Sequence, residues 1–263
     1  MPDITGYSVQ LVVGAVVSAS AIFAVAGVLI GRRLLKRFVR EGHNDVVAPI
    51  FATAGVLYAV VLGFLVILIW TNFDAAHTRS NGEASTLAAM YRMTLGMPAG
   101  EQAAVRPLLR SYGENVVKVE WITQAGGEAA PEVDKALNAM YAEQANLSPD
   151  VASQPVNLEF LRSLNVLSVD RNQRILAGSE QLDPILWITL FLGQIITVGM
   201  TFLMYSERRL VHLIAATGLS VFIGMLLAVA LVLDNPYAGQ LGIATDAFDH
   251  AIATFDSIDK GGQ

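Results

Sequence analysis

The run "NFDAAHTRSNGE" places Asp74 and His77 close together, with Glu83 farther along, on what reads as one helix. Asp74 and His77 are three residues apart, so they share a helical face and form half of a metal site. A working site needs a third ligand and a supporting shell, and no nearby residue offers one. A solvated helix end accounts for the pair more simply. A second group, Gln194, Thr197 and Thr201, lies inside an apolar run. Polar side chains at such depth face protein or water, so they mark either a path for ions or a hydrogen bond between helices worth about 1 kcal/mol. His212 sits one turn inside another apolar run and reads as snorkelling to the interface. There is no cysteine, and no HExxH, GxSxG, phosphate loop or GxGxxG precedes a suitable element. The expectation is a protein that is not an enzyme, with no metal and no cofactor.

The elements that carry these residues follow from composition. Of 263 residues, 54% are apolar and only 15% charged, with a mean hydropathy of +0.50. A soluble domain has about a quarter of its residues charged, so the partner expected here is a lipid bilayer. Four runs hold no charged residue: 7–30, 46–71, 184–205 and 210–233. Each exceeds the roughly 20 helical residues that cross a hydrocarbon core, and a helix is the one local structure that satisfies its own backbone there. The first run lacks the basic start of a signal peptide, so it reads as a retained helix. An isoelectric point near 5.2 with a single basic tract argues against nucleic acid.

Cations in short loops stay on the cytoplasmic side. The loop 31–45 carries Arg32, Arg33, Lys36, Arg37 and Arg40, and the loop 206–209 adds Arg208 and Arg209. Residues 72–183 hold nine basic and fourteen acidic side chains, and the tail 234–263 is also acidic. The sequence therefore predicts transmembrane helices 1 and 2 over 7–71, an extracytoplasmic domain over 72–183, helices 3 and 4 over 184–233, and an extracytoplasmic amphipathic tail. Both termini would lie outside the bacterial inner membrane.

The middle region reads as helical. Val105, Leu108, Leu109, Tyr112, Val116 and Val119 recur at the helical interval. A second helix begins near Pro131, "SPDVASQP" at 148–155 reads as a loop, and a third helix leads to Pro184. The second span has no breaker before Gly82 and is expected to project past the membrane as far as "GMPAGE". In the tail, Phe248, Ile252 and Phe255 line one face and acidic residues another, which favours docking on protein over anionic lipid. Small residues recur four apart at Gly55, Ala59 and Gly63, and again at Ala216, Ser220, Gly224 and Ala228, the spacing that lets membrane helices approach closely within or between subunits. The fold class expected is all-α, a polytopic membrane protein with four transmembrane helices and a helical extracytoplasmic domain.

Several motifs resemble the bacterial bestrophin-like family. "VLGFLVILIWTNFDAAHTRSNGEASTLAAMYRMTL" is similar to the end of that family's second helix, with Phe73-Asp74 leaving the membrane and Glu83-Ala84 following. "LLRSYGENVV" resembles its next helix, and "LDNPYAG" its closing motif, so the resemblance covers about residues 45–258. Bestrophins are oligomeric anion channels, so the resemblance implies a homo-oligomer that conducts ions. A ring of aromatics like the bestrophin neck is not evident in the sequence. Two paths are open on the residues alone: one past Gln194, Thr197 and Thr201, the other along the second helix with Asp74, His77 and Glu83 ringing its mouth. The acidic outer side would concentrate cations, against the selectivity the family name implies. The competing expectation is a non-conducting accessory, scaffold or sensor subunit whose outer domain binds a protein partner.

Overall fold

The computed structural model describes residues 8–34, 41–238 and 242–261, and among them the protein is all-α. Ten helices follow in order: α1 (Val9–Leu34), α2 (Asn44–Met93), α3 (Ala99–Asn115), α4 (Trp121–Thr123), α5 (Pro131–Ala145), α6 (Pro149–Ala152), α7 (Pro155–Ser179), α8 (Pro184–Thr201), α9 (Arg209–Leu233) and α10 (Asp246–Gly261). Proline opens α5, α6, α7 and α8, where its missing N–H costs nothing and its fixed φ suits the first turn. Asp183 caps α8 by accepting a hydrogen bond from the Ile185 amide at 2.9 Å. Four helices, α1, α2, α8 and α9, are long and apolar enough to cross a membrane.

The chain divides into two compact units. The membrane unit contains α1, α2 as far as Asn72, α8 and α9. Its tightest pairing is α1 against α9. Ser20, Ala24 and Val28 are buried on α1, and Ala216, Ser220, Gly224 and Ala228 are buried or half-buried on α9. Both are four-residue ridges, which is the spacing that interlocks. A Cβ on Gly224 would fall 2.4 Å from Ser20 Oγ, so only glycine permits the approach. The Ser220 hydroxyl donates to the Ser20 carbonyl at 2.7 Å across the same contact. The small-residue stripe of α9 is thus used within the chain.

Both ends of the α8–α9 pair are fastened. Asp234, which ends α9, accepts from the Leu182 amide at 2.8 Å and from the Trp187 indole N–H at 3.0 Å. At the other end, the Asn44 side chain accepts from the Tyr205 amide at 2.8 Å and donates to the Tyr205 carbonyl at 2.9 Å. The third span was expected to run to residue 205, but α8 ends at Thr201. Two contacts explain the early stop: Asn44 holds the backbone at Tyr205, and His212 Nε2 donates to the Thr201 carbonyl at 2.9 Å. His212 therefore does not snorkel outward; it is buried against the end of α8.

The polar unit contains α2 from Phe73, α3 to α7 and α10. Leu87, Met90, Leu109, Tyr112, Met140, Phe160, Leu164, Phe248 and Phe255 belong to one core. Between α3 and α4 the chain makes a π-helical turn, Val116–Glu120. Four residues of α-helix overshoot a full turn by about 40°. The wider turn cancels that drift, so Tyr112, Val116 and Glu120 all stay on the buried side. The stretch 148–155, expected as a loop, holds the one-turn helix α6 because Pro149 starts it. The tail helix α10 docks on protein within this unit. Tyr91 stacks on Phe255 with ring centroids 4.1 Å apart, and Arg110 pairs with Asp256 at 2.8 Å and Asp259 at 3.1 Å.

Candidate functional site

α2 meets the other membrane helices along one narrow edge. Tyr58, Leu62, Leu65, Val66 and Ile69 face them, and the Tyr58 hydroxyl donates to the Leu190 carbonyl at 3.0 Å. The opposite edge is uncovered. Leu57, Val60, Phe64 and Ile67 are all exposed there, Phe64 at 71%. Their spacing alternates three and four, and the same register reaches exposed Thr53 on one side and exposed Thr71, Asp74 and Thr78 on the other. Both Thr53 and Thr71 bond back to their own helix, at 2.9 Å to the Pro49 carbonyl and 2.8 Å to the Leu68 carbonyl. In the stripe of Gly55, Ala59 and Gly63, Ala59 is exposed, and a Cβ on Gly55 or Gly63 would meet nothing within 4 Å among the described residues.

Asp74 and His77 are exposed, and the Asn81 side chain lies 3.4 Å from His77 Nδ1. Glu83 does not join them. It was expected at a mouth, yet it is 0% exposed. Gln194, Thr197 and Thr201 are buried in the membrane unit. Gln194 Nε2 donates to Ser20 Oγ at 2.9 Å, tying α8 to α1 beside the contact with α9. These three do not share an exposed face with α2. The cations Arg33, Arg208 and Arg209 are exposed and Arg32 is half-buried, while Lys36, Arg37 and Arg40 lie outside the described residues.

Glu83 instead belongs to a buried cluster of charges in the polar unit. Arg174, also 0% exposed, donates to it at 2.6 and 3.0 Å and to Glu120 at 2.6 Å. The Tyr112 hydroxyl donates to Glu83 at 2.7 Å. Arg171 binds Glu120 at 2.6 Å and reaches Asp134, and Arg174 also holds the Gln124 side-chain oxygen. The Arg174 guanidinium sits 5.5 Å from the Trp121 ring and 5.7 Å from Phe248, so ring faces and carboxylates both stabilise its charge. Burial alone would push the Glu120 pKa up; the Arg171 hydrogen bond and the charge of Arg174 overcome it and leave the group below its ordinary value. For Tyr112, burial and the Glu83 charge both push the pKa well up, so it remains a donor. All of its charges are paired, which makes the cluster a rigid centre for this unit, and the Gln124 Nε2 at its edge is buried without a hydrogen-bond partner. Gly178 completes it: a Cβ there would fall 2.0 Å from the Gln124 carbonyl oxygen.

Sequence reasoning passed over this cluster, although a signal was present. Phe160, Leu164, Leu167, Arg171 and Arg174 form one line at three- and four-residue spacing on α7. Two arginines that continue an apolar stripe are buried arginines, and buried arginines require carboxylates. Phe64 was overlooked for a different reason. Every neighbour in its run is apolar, so only the packing of the other spans reveals which edge is uncovered. Among the described residues no group of three His, Cys, Asp or Glu side chains could hold a metal ion.

Residues 18–248 match the sequence model of the Bestrophin-like domain. Three structures of single-substitution variants of a bacterial bestrophin homolog from Klebsiella pneumoniae share the fold, with TM-scores of 0.72, 0.71 and 0.68 at 14%, 15% and 13% sequence identity. The matches cover 94%, 95% and 95% of this chain and 99%, 98% and 99% of theirs. No curated protein sequence matches the chain.

Proposed function

This chain belongs to the bestrophin-like family, and from that premise we propose that it is a homo-oligomeric ion channel whose path is lined by the uncovered edge of α2. The observation that carries the reading is the contrast between two small-residue stripes. The α9 stripe is filled by α1, whereas Gly55 and Gly63 of α2 face empty space and can receive a helix of another copy. Copies arranged around α2 would place Leu57, Val60, Phe64 and Ile67 along the axis, with Thr53 and Thr71 at either end of that apolar stretch. A ring of Phe64 side chains would form a constriction that gates by dewetting. Asp74 follows in the same register of α2 and would concentrate cations at that mouth.

The charge pattern supports an orientation with the basic loops 31–45 and 206–209 in the cytoplasm. The segment 72–183, the tail 234–263 and both termini would then be extracytoplasmic in a bacterial inner membrane. Gln194 and Glu83 take no part in the path on this reading; each stabilises its own unit.

The test is ion flux through purified protein in lipid vesicles, together with subunit count by native mass spectrometry. A closed ring of four or more copies that conducts, with Phe64→Ala raising the flux, is the expected result. A monomer in silent vesicles overturns the channel reading. Silent vesicles from a protein that purifies with a fixed extracytoplasmic partner would assign it an accessory or scaffold role.

A further inference from the structure

We infer that the membrane unit carries a binding site for a phosphate-bearing group, supplied by an anionic membrane lipid, where α1 ends and α9 begins. A cavity of about 640 Å³ opens there. Arg32, Arg33, Arg209 and His212 line it, and among the described residues no carboxylate does. Three guanidinium groups gathered around one cavity without an acidic residue repel one another unless an anion joins them. None of the three has a carboxylate partner among the described residues.

Arg32 shows which group would fit. Its Nη2 donates to the Ser206 carbonyl at 2.9 Å, which fixes the plane of the guanidinium. Its Nη1 is buried and has no hydrogen-bond partner. A buried charged donor left unpaired is costly, and a phosphate oxygen is the acceptor that suits a guanidinium fork. His212 is held by its bond to the Thr201 carbonyl, so this wall is fixed before any ligand arrives. α9 starts at Arg209 with no side-chain cap on its first amides, which adds a partial positive charge at the same place.

The remaining wall identifies the source of the phosphate. Leu29 and Phe202 line the cavity beside the arginines. A free anion gains nothing from apolar walls, whereas the glycerol and first methylenes of a lipid do. The cavity also lies at the ends of two spans, the depth at which headgroups sit. Phosphatidylglycerol has the required chemistry: one phosphate diester, one negative charge and an apolar body.

The experiment uses the full chain in neutral detergent. Short-chain phosphatidylglycerol, short-chain phosphatidylcholine and inorganic phosphate are each titrated, with bound molecules counted by native mass spectrometry. One phosphatidylglycerol per subunit is expected, bound in clear preference to phosphatidylcholine. Arg32→Gln and Arg209→Gln should each weaken it about fivefold. Lys135→Gln, an equal charge change on an exposed side chain of the polar unit, should leave it unchanged. Helix content and elution volume verify the fold of each variant, and exposed Arg33→Gln replaces Arg32→Gln should that variant fail to fold. Equal binding of the two lipids, or unchanged binding in folded arginine variants, overturns the site. Inorganic phosphate binding as tightly as phosphatidylglycerol overturns the lipid assignment in favour of a soluble anion.

Discussion

Arg174 and Glu83 form a two-point ion pair, Nε to Oε2 at 2.6 Å and Nη2 to Oε1 at 3.0 Å, with neither side chain reaching solvent. Ninety-one residues of chain separate them. The pair therefore records how α7 closes onto α2 within the polar unit. Its value lies in completeness, since each charge is tolerated only while the other is present.

Arg174→Met should destabilise the polar unit by about 3–5 kcal/mol, the cost of stranding a buried carboxylate. Adding Glu83→Leu to that variant should recover part of the loss, because two apolar side chains leave fewer charges unpaired. Denaturant unfolding followed by circular dichroism checks both. Equal stability of parent and Arg174→Met would mean that the cluster contributes nothing to the unit.

The docking of α10 should be lost in acid. The Tyr91 hydroxyl donates to Asp259 at 2.7 Å and, with Arg110 and Arg106, holds its pKa below the ordinary 3.8. A depressed carboxylate pKa stabilises the fold above the unfolded value, and that contribution disappears as pH falls through the folded one. Pepsin should therefore spare α10 at about pH 5 and cut it below about pH 3. Asp259→Asn should move the onset of cleavage to higher pH; an unchanged profile would assign the acid sensitivity to another group.

Gly224→Val should loosen the α1–α9 contact by about 1–3 kcal/mol, the usual penalty for overpacking. The added carbon would fall 2.4 Å from Ser20 Oγ, and Ser20 is itself held by Gln194. Thermal denaturation in detergent reports the change. Gly63→Ala, where nothing lies within 4 Å in the subunit, should leave the same transition in place for an isolated subunit.

Gln194→Leu should cost about 1 kcal/mol and, on the proposed path along α2, leave ion flux unaltered. Gln194 is bonded within the subunit and lies away from the exposed edge of α2. A collapse of flux without loss of stability would move the conduction path to α8.

The four spans were legible because charge-free runs longer than a bilayer is thick have few other solutions. The long reach of α2 was legible too, since Pro49 lies near its start, no proline follows before Pro98, and the observed element runs on to Met93. Glu83 was misread because its position just beyond an apolar span looks solvated. Only the return of Tyr112 and Arg174, 29 and 91 residues later, covers it. His212 was misread in a similar way: the sequence places it near an interface, but the Thr201 carbonyl that turns it inward comes from a different helix. Residue type and spacing predict which face of a helix is apolar. They do not say which apolar face finds a neighbour, and that is why Phe64 emerged only with the packing in view.

The pairing of α1 with α9 also constrains how the protein is made. The first span leaves the ribosome long before its main neighbour exists, because the chain from Leu34 to Arg209 takes roughly 10–40 s to translate at ~5–20 residues per second. During that interval Ser20 and the ridge around it face lipid or the insertion machinery, with no α9 to receive them. A chain that stops short of α9 would leave this ridge open, so quality-control proteases that recognise unpaired polar groups in the bilayer have a ready mark for unfinished copies.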